Sequence, residues 1–265
     1  MADGARVPAL LRFASHASAI AGVDLRKLWR DPTELATRAL QPLLWFLVFG
    51  QVFDRTGVIP TGALSYIEFM APGILAQSVL FAAIFYGIAV IWERDLGIVQ
   101  KVLVSPASRT SLVVGKALAA GVRGLIQGAL VVVIALAMNV RFRTDPAGMA
   151  GVAAAVFLGS ALFATFSLVI ACIVKTRERF MGIGQVLTMP LFFASNAIYP
   201  ISMMPRWLGM VASVNPLTYL VDALRALLLA HAPAAANLPL DFGVLAMILA
   251  ALVGLAAKLY PGLAR

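Results

Sequence analysis

The sequence predicts an all-α membrane protein. It should have six transmembrane helices, a leading amphipathic helix, a short helix after the second span, and a re-entrant helix pair between the fifth and sixth spans. Three observations carry that expectation. Apolar runs of about 20 residues recur along the chain, each long enough to cross the hydrocarbon core as a helix. The 265 residues are 62% hydrophobic and 12% charged, with a mean hydropathy of +0.93; a soluble domain is roughly half apolar and a quarter charged. The cations are shared unequally between successive gaps in the apolar pattern. The short alternating segments of a membrane β-barrel are missing from the sequence.

Taken in order, residues 1–38 are mixed. Their apolar stretch Val7–Leu11 is too short for a cleavable signal and is broken by Arg12, so the segment should stay attached and outside the hydrocarbon. Leu10, Phe13, Ala17 and Ile20 recur at helical spacing, with Arg12, His16, Asp24, Arg26 and Lys27 between them. That pattern suits an interfacial helix, ended by Arg30-Asp31-Pro32. Spans are expected at about 36–53, 68–92, 115–140, 148–174, 181–200 and 241–260, the first kinked at Pro42. With the N-terminus inside, 16 of the 21 Lys and Arg residues fall on the inner side, Arg123 among them. The outer side holds only Arg55, Arg141, Arg143, Arg206 and Arg225, so both termini should be cytoplasmic.

The segment 201–240 is apolar but broken by Pro205, Pro216, Pro233 and Pro239. Leu217, Leu220, Leu224 and Leu228 share one helical face, in company with Asn215, Asp222 and Arg225. Irregular backbone at membrane depth must be satisfied by protein or a water cavity, which suits a re-entrant pair. A seventh spanning helix is the alternative, and it would invert the last span. The organisation expected is a connecting segment, 1–38, and one transmembrane domain, 36–265, with a loop at 93–116 and the re-entrant segment at 201–240.

Composition also excludes chemistry. The net charge of +9 lies at the ends of apolar runs, not on a basic stripe with interleaved aromatics, so no nucleic-acid partner is expected. Cys172 stands alone, and His16 and His231 are isolated, which leaves neither a disulfide nor metal-ligand spacing. No carboxylates pair within a span, and Glu68 at the edge of the second is the nearest case to a buried ion-path acid. The single Gly-Lys pair, Gly115-Lys116, lacks the rest of a phosphate-binding loop. No internal repeat marks an inverted-repeat carrier. Arg123 is expected to snorkel to the interface, with a substrate or helix-pairing role as the alternative. Gly124 and Gly128 are spaced for close helix contact, and Asp222 and Arg225 for a local ion pair.

The most informative stretch runs from Trp92 to Lys116. Glu93, Arg94 and Asp95 are followed by Leu96, Val99 and Leu103 on one helical face, with Gln100 and Lys101 off it. Ser105-Pro106 then breaks the chain ahead of Arg109. Such a piece serves as a handle for a soluble partner, or as an amphipathic loop resting on headgroups. Residue chemistry alone leaves both open.

Four stretches resemble the membrane subunits of type-2 ABC exporters, in the daunorubicin-resistance permease-like branch. They are LWRDPTELATRALQPLLWFLVFGQVF (Leu28–Phe53), MAPGILAQSVLFAAIFYGIAVIWERDLGIVQKVLVSPASRTSLVVGKAL (Met70–Leu118), the stretch through IYPISMMPRWL (Ile198–Leu208), and NPLTYLVDALRALL (Asn215–Leu228). The resemblance spans nearly the whole chain, and the second and fourth together are fairly specific. It implies a coupling helix docking on an ATPase subunit, carried here by Glu93, Arg94, Asp95, Leu96, Val99, Leu103, Ser105, Pro106 and Arg109. It implies a re-entrant element at Asn215, Pro216, Asp222 and Arg225, and a substrate path between helices two and five at Gln77, Phe81, Phe85, Met189, Phe192, Phe193 and Asn196. Two ATPase copies would hold the ATP and magnesium, leaving no cofactor on this chain, and a second permease copy or a related permease would complete the unit. The expected role is export of a lipid, glycolipid or drug-like compound across a prokaryotic inner membrane, in contact with membrane lipids. A polysaccharide exporter permease of the same architecture, and a non-ABC scaffold or carrier, are the alternatives.

Overall fold

The computed structural model describes residues 9–30, 40–62, 64–104, 107–174, 176–230 and 237–264. Within them the chain is helical, with no strand. The leading helix α1 is Ala9–Arg30. A helical run over 40–56, α2, contains a π-helical stretch at Trp45–Gly50 just beyond Pro42. Then come α3 (Tyr66–Asp95), the short α4 (Ile98–Leu103), α5 (Arg109–Ala137), α6 (Pro146–Ile173) and α7 (Arg177–Phe193). Beyond a 3-10 turn lie α8 (Arg206–Val214), α9 (Pro216–Leu228) and α10 (Leu238–Leu259), and a 3-10 turn at Tyr260–Ala264 follows. Among the described residues, four helices are long and apolar enough to cross a membrane: α3, α5, α6 and α10.

Local chemistry sets the boundaries. Ser65 and Glu68 form a reciprocal capping box at the start of α3, which accounts for the one carboxylate near that end. Asp54 accepts from the backbone N–H of Tyr66 at 2.7 Å and ties α2 to α3. Ser108 caps α5 by accepting from Ser111 N–H at 3.1 Å. This cap starts the helix at Arg109, earlier than hydropathy places the span. Asp145 caps α6 by accepting from Gly148 N–H at 2.9 Å; that bond, with Arg143 beside it, holds the carboxyl below its usual range. At 30 residues α3 is roughly 45 Å long, so its charged end reaches past a hydrocarbon core of about 30 Å.

The paired helices α3 and α6 form the centre of the bundle. α5 packs on both and carries α1 on its outer side, while α9 wedges among α3, α6 and α10. Leu217, Leu220, Leu224 and Leu228 are fully buried on the inner face of α9, as their spacing predicts. α2 packs on α3, and α7 on α3 and, more lightly, α6. Their outer faces present Leu44, Leu47, Val48 and Phe49 on α2, and Val186, Met189 and Phe193 on α7.

Between helices in lipid there is no gain from burying apolar surface, so close packing of small residues must hold them together. Gly124 lies where a Cβ would overlap Ser160 of α6, and Gly73 where one would overlap the Ala197 carbonyl. Gly73→Ala should therefore cost about 1–3 kcal/mol by overpacking. Gly254→Ala, with open space around it, should be neutral or stabilising by up to about 1 kcal/mol. Thermal unfolding of the two variants in detergent reads the difference, and equal melting temperatures would contradict the close approach of α3 to Ala197.

Candidate functional site

The stretch after α3 is built by a reversal. Leu96 leaves helical geometry and Gly97 takes φ +71°, a conformation that disfavours a side chain, so the chain turns directly into α4. Val99 is 1% exposed and packs with Val90, Leu112, Val113 and Tyr260, while Leu103 is half-buried against the same cluster. Leu96 and Val104 point away from the bundle, 67% and 87% exposed, and Arg109 is exposed beyond them. The expected common face is thus divided: Val99 and Leu103 anchor the piece, and Leu96 is presented outward. Ser105 and Pro106 lie outside the described residues.

The three charges of this stretch go to separate places. Glu93 turns inward, where Lys116 Nζ of α5 lies 2.7 Å from its Oε2. The same ammonium is 3.7 Å from Asp24 Oδ2 of α1. The Tyr86 hydroxyl donates to that Asp24 oxygen, and Arg123 donates to the Asp24 backbone carbonyl at 2.9 Å. The Arg123 and Lys116 cations lie 5.5 and 5.8 Å from the centre of the Tyr86 ring. Arg123 therefore pairs helices. Asp95 turns sideways, accepting from Arg177 at 2.7 Å and from Arg94 at 2.9 Å. Arg177 also stacks 3.6 Å above the Trp92 ring, which fastens the start of α7 to the end of α3. A cavity of ≈ 130 Å³ between α1, α4 and α5 has Asp24, Glu93 and Lys116 on its wall.

Sequence reasoning missed Lys116 and Asp24 as buried partners, because both read as flanking charges. Asp24 continues the Phe13, Ala17, Ile20 stripe by one further turn, and that placement on the apolar face of α1 is the signal that identifies it.

The residues expected to form a substrate path divide into two groups. Gln77, Phe81 and Phe85 line a cleft with Gln41 and Pro42 of α2 and Gln127 of α5. On the other side, Phe192 is buried edge-on against Trp45, with ring centres 5.4 Å apart, while Met189 and Phe193 are exposed on α7. Asn196 donates to Asp222 Oδ1. Met189, Phe192, Phe193 and Asn196 are not among the residues that line the cleft.

The broken element is held by polar side chains. Asn215 donates to the carbonyls of Leu191 and Ala194 at 2.7 and 2.9 Å, and accepts from Leu217 N–H at 3.0 Å. One side chain therefore closes the end of α7 and caps α9, whose first residue is Pro216. Arg225 donates to the Asn196 carbonyl at 2.8 Å, pairs with Asp222 at 3.6 Å, and lies 4.2 Å from the centre of the Phe69 ring.

The long apolar helices, the satisfied break before the last of them, and the exposed turn helix beside an ion cluster define an all-helical integral membrane protein. The chain belongs to the ABC-2 type transporter family, whose model matches residues 17–229. It is 29% identical over 203 residues to the putative transport permease ycf38 of Cyanophora paradoxa, covering 75% of this chain and 69% of that one. It is 26% identical over 218 residues to the daunorubicin resistance ABC transporter permease protein DrrB1 of Streptomyces coeruleorubidus, covering 77% and 74%. A third relative is the inner membrane transport permease YadH of Escherichia coli K12, 25% identical over 189 residues, covering 69% and 70%. The resemblance read from the four stretches is thus to the family that the chain belongs to. Permeases of this family generally work with an ATPase subunit.

Removing Lys116 takes a cation away from two enclosed carboxylates. Lys116→Met should cost about 3–5 kcal/mol, and Lys116→Met with Glu93→Gln should cost less than the two single changes added together. Strict additivity in unfolding measurements would overturn the cluster. Asn215→Ala should destabilise by about 1–2 kcal/mol, through the lost cap and the two stranded carbonyls; an unchanged melting temperature would contradict that role.

Proposed function

We propose that this chain is the permease subunit of an ATP-driven exporter. In this reading α2 and α7 join the four long helices as spans five and six in number, α8 and α9 form the re-entrant pair, and α1 is the connecting helix at the cytoplasmic face. The domain runs from α2 to the end of the chain, in a prokaryotic inner membrane with both termini inside, as the positive-inside count indicates.

The observation that carries the reading is the outward presentation of Leu96 and Val104 around an α4 anchored from below by Val99. A short helix with a seated inner face and apolar groups on its outer face suits docking into a groove of a soluble partner. The partner is the ATPase subunit, in two copies, holding ATP and magnesium; this chain needs no cofactor of its own. A second permease copy, identical or related, covers the apolar outer faces of α2 and α7. Met189 and Phe193 then face the partner permease and contribute to the path between copies.

The cargo is hydrophobic or amphipathic: a lipid, glycolipid or drug-like compound. Support comes from the aromatic and methionine character of Phe81, Phe85, Met189 and Phe193, and from the daunorubicin resistance in the name of one relative. A wide polar conduit for polysaccharide finds little support, because the polar groups Asn196, Asp222 and Arg225 are engaged with one another.

Leu96 and Val104 are the positions that test docking, since Glu93 and Val99 face inward and report on the fold instead. Leu96→Asp with Val104→Asp should abolish co-purification of the ATPase subunit from membranes while leaving the melting temperature of the permease unchanged. Full retention of the ATPase by the double variant would overturn the handle. An ATPase that co-purifies but shows no cargo-stimulated turnover would favour a scaffold over a transporter.

A further inference from the structure

We infer that the cleft between α2, α3 and α5 binds the uncharged, hydroxyl-bearing end of a lipid-like molecule. The inference rests on reading these helices as membrane spans, and it deepens the proposed function by naming what the cleft recognises. The lining supplies three primary amides (Gln41, Gln77 and Gln127) and the Ser78 hydroxyl, beside the rings of Phe81 and Phe85. None of the described residues in its lining carries a charge.

One atom makes this more than a polar dent. Gln127 is 2% exposed, and its Oε1 has no hydrogen-bond partner among the described residues. In a soluble protein water would satisfy such a carbonyl. Gln127 is ten residues from the Ala137 end of α5, and Gln77 eleven from the Tyr66 end of α3, which places both roughly 15 Å along their helices, near mid-membrane. Water is scarce there, and an unmet acceptor is costly. Ser78 cannot serve, since its hydroxyl donates to the Ile74 carbonyl at 2.9 Å. Gln127 Oε1 accepts from none of the amides that share the cleft, and Ser78 Oγ keeps a free lone pair, so both can accept from a donor on a ligand.

The same features limit the ligand. With no cation or carboxylate among the described lining residues, a phosphate or ammonium would be buried unpaired by them at that depth. The cavity is ≈ 60 Å³, less than half the ~150 Å³ that holds benzene in an apolar protein cavity, so it takes a hydroxymethyl-sized group and not a sugar ring. Phe85, 42% exposed, and the exposed Gln41 stand at its rim. An apolar tail can run out from there along α2 past Leu44. A neutral lipid with one free hydroxyl, of the diacylglycerol kind, meets every condition. A site built around a hydrogen bond to a hydroxyl strongly rejects molecules that lack it.

The test uses the full chain in phosphatidylcholine nanodiscs with a diacylglycerol bearing a diazirine in one acyl chain. Phosphatidylcholine with the same labelled chain is the control, because its headgroup has no hydrogen-bond donor. After irradiation and peptide mapping, diacylglycerol adducts should concentrate on α2, on residues 77–85 and around Gln127, and the control should label them no more than other lipid-facing positions. Gln127→Met, close in size and without the carbonyl, should reduce those adducts roughly fivefold, the loss expected for one hydrogen bond; Gln77→Met provides a second variant if the first is unstable. Equal labelling by both probes would overturn the inference. So would unchanged labelling in Gln127→Met accompanied by a higher melting temperature, the behaviour of an amide that is merely stranded. Adducts that persist when the partner ATPase turns over ATP identify a resident lipid, and adducts that fall identify cargo; both carry the site. Labelling needs no ATPase, so its failure is separable from failure of the docking experiment.

Discussion

Everything at the Glu93 end of the bundle depends on Lys116. It is a cation with almost no access to solvent, and it lies between one carboxylate from α3 and another from α1. A lone buried ammonium would lose its proton or pull its helix toward water. Two acids make the position tolerable, and with Tyr86 and Arg123 both bonded to Asp24 the group fixes how three helices meet. The charges are the reason that α1 sits on α5 in one register. Gly115 allows the close approach, since a Cβ there would collide with the Ala17 carbonyl and the Ile20 side chain.

At the other end the constraint is the broken backbone. A helix that stops inside a packed bundle leaves its last carbonyls without intrahelical donors. Asn215 resolves this for α7 with one amide, and Arg225 does the same for Asn196. These polar side chains take up the carbonyls of Leu191, Ala194 and Asn196, so α9 can pack its four leucines against α3 and α6 beside the end of α7.

Much of this was legible in the sequence, in proportion to how local each cause is. The stripe Leu217, Leu220, Leu224, Leu228 follows from the 3.6-residue period alone, and so do the long apolar helices. The end of α7 was harder. Hydropathy carries that helix to about residue 200, but Pro190 lies in its last turns and the donor that closes it, Asn215, comes from more than twenty residues away. The direction of Glu93 was not legible at all. The sequence places three charges together, and only the packing of α1 and α5 decides that the first turns inward while Asp95 reaches Arg177. Likewise, spacing shows that Gln77, Phe81 and Phe85 share a face, but the tertiary arrangement determines that this face meets α2 and α5 within one chain. Resemblance to exporter permeases identified the family without fixing the neighbour of any one side chain.

The two polar systems bear on the proposed coupling in different ways. A push on α4 acts through Val99, which packs with Leu112 and Val113 of α5 and with Tyr260 beyond α10. It also acts through the chain itself on the end of α3, where Glu93 grips α5 and Asp95 grips α7. The two grips differ in strength: the enclosed Glu93–Lys116 pair is costly to break, whereas the exposed Asp95–Arg177 pair is not. In the proposed coupling, a push on α4 would therefore bear on α3 and α5 together. At the far end the ties are Asn215 on the end of α7, glycine packing of α3 on Ala197, and the buried Arg225, which holds the Asn196 carbonyl and lies over Phe69 of α3. The proposed handle thus bears on an enclosed ion pair, while the break after α7 is held by the enclosed side chains Asn215 and Arg225.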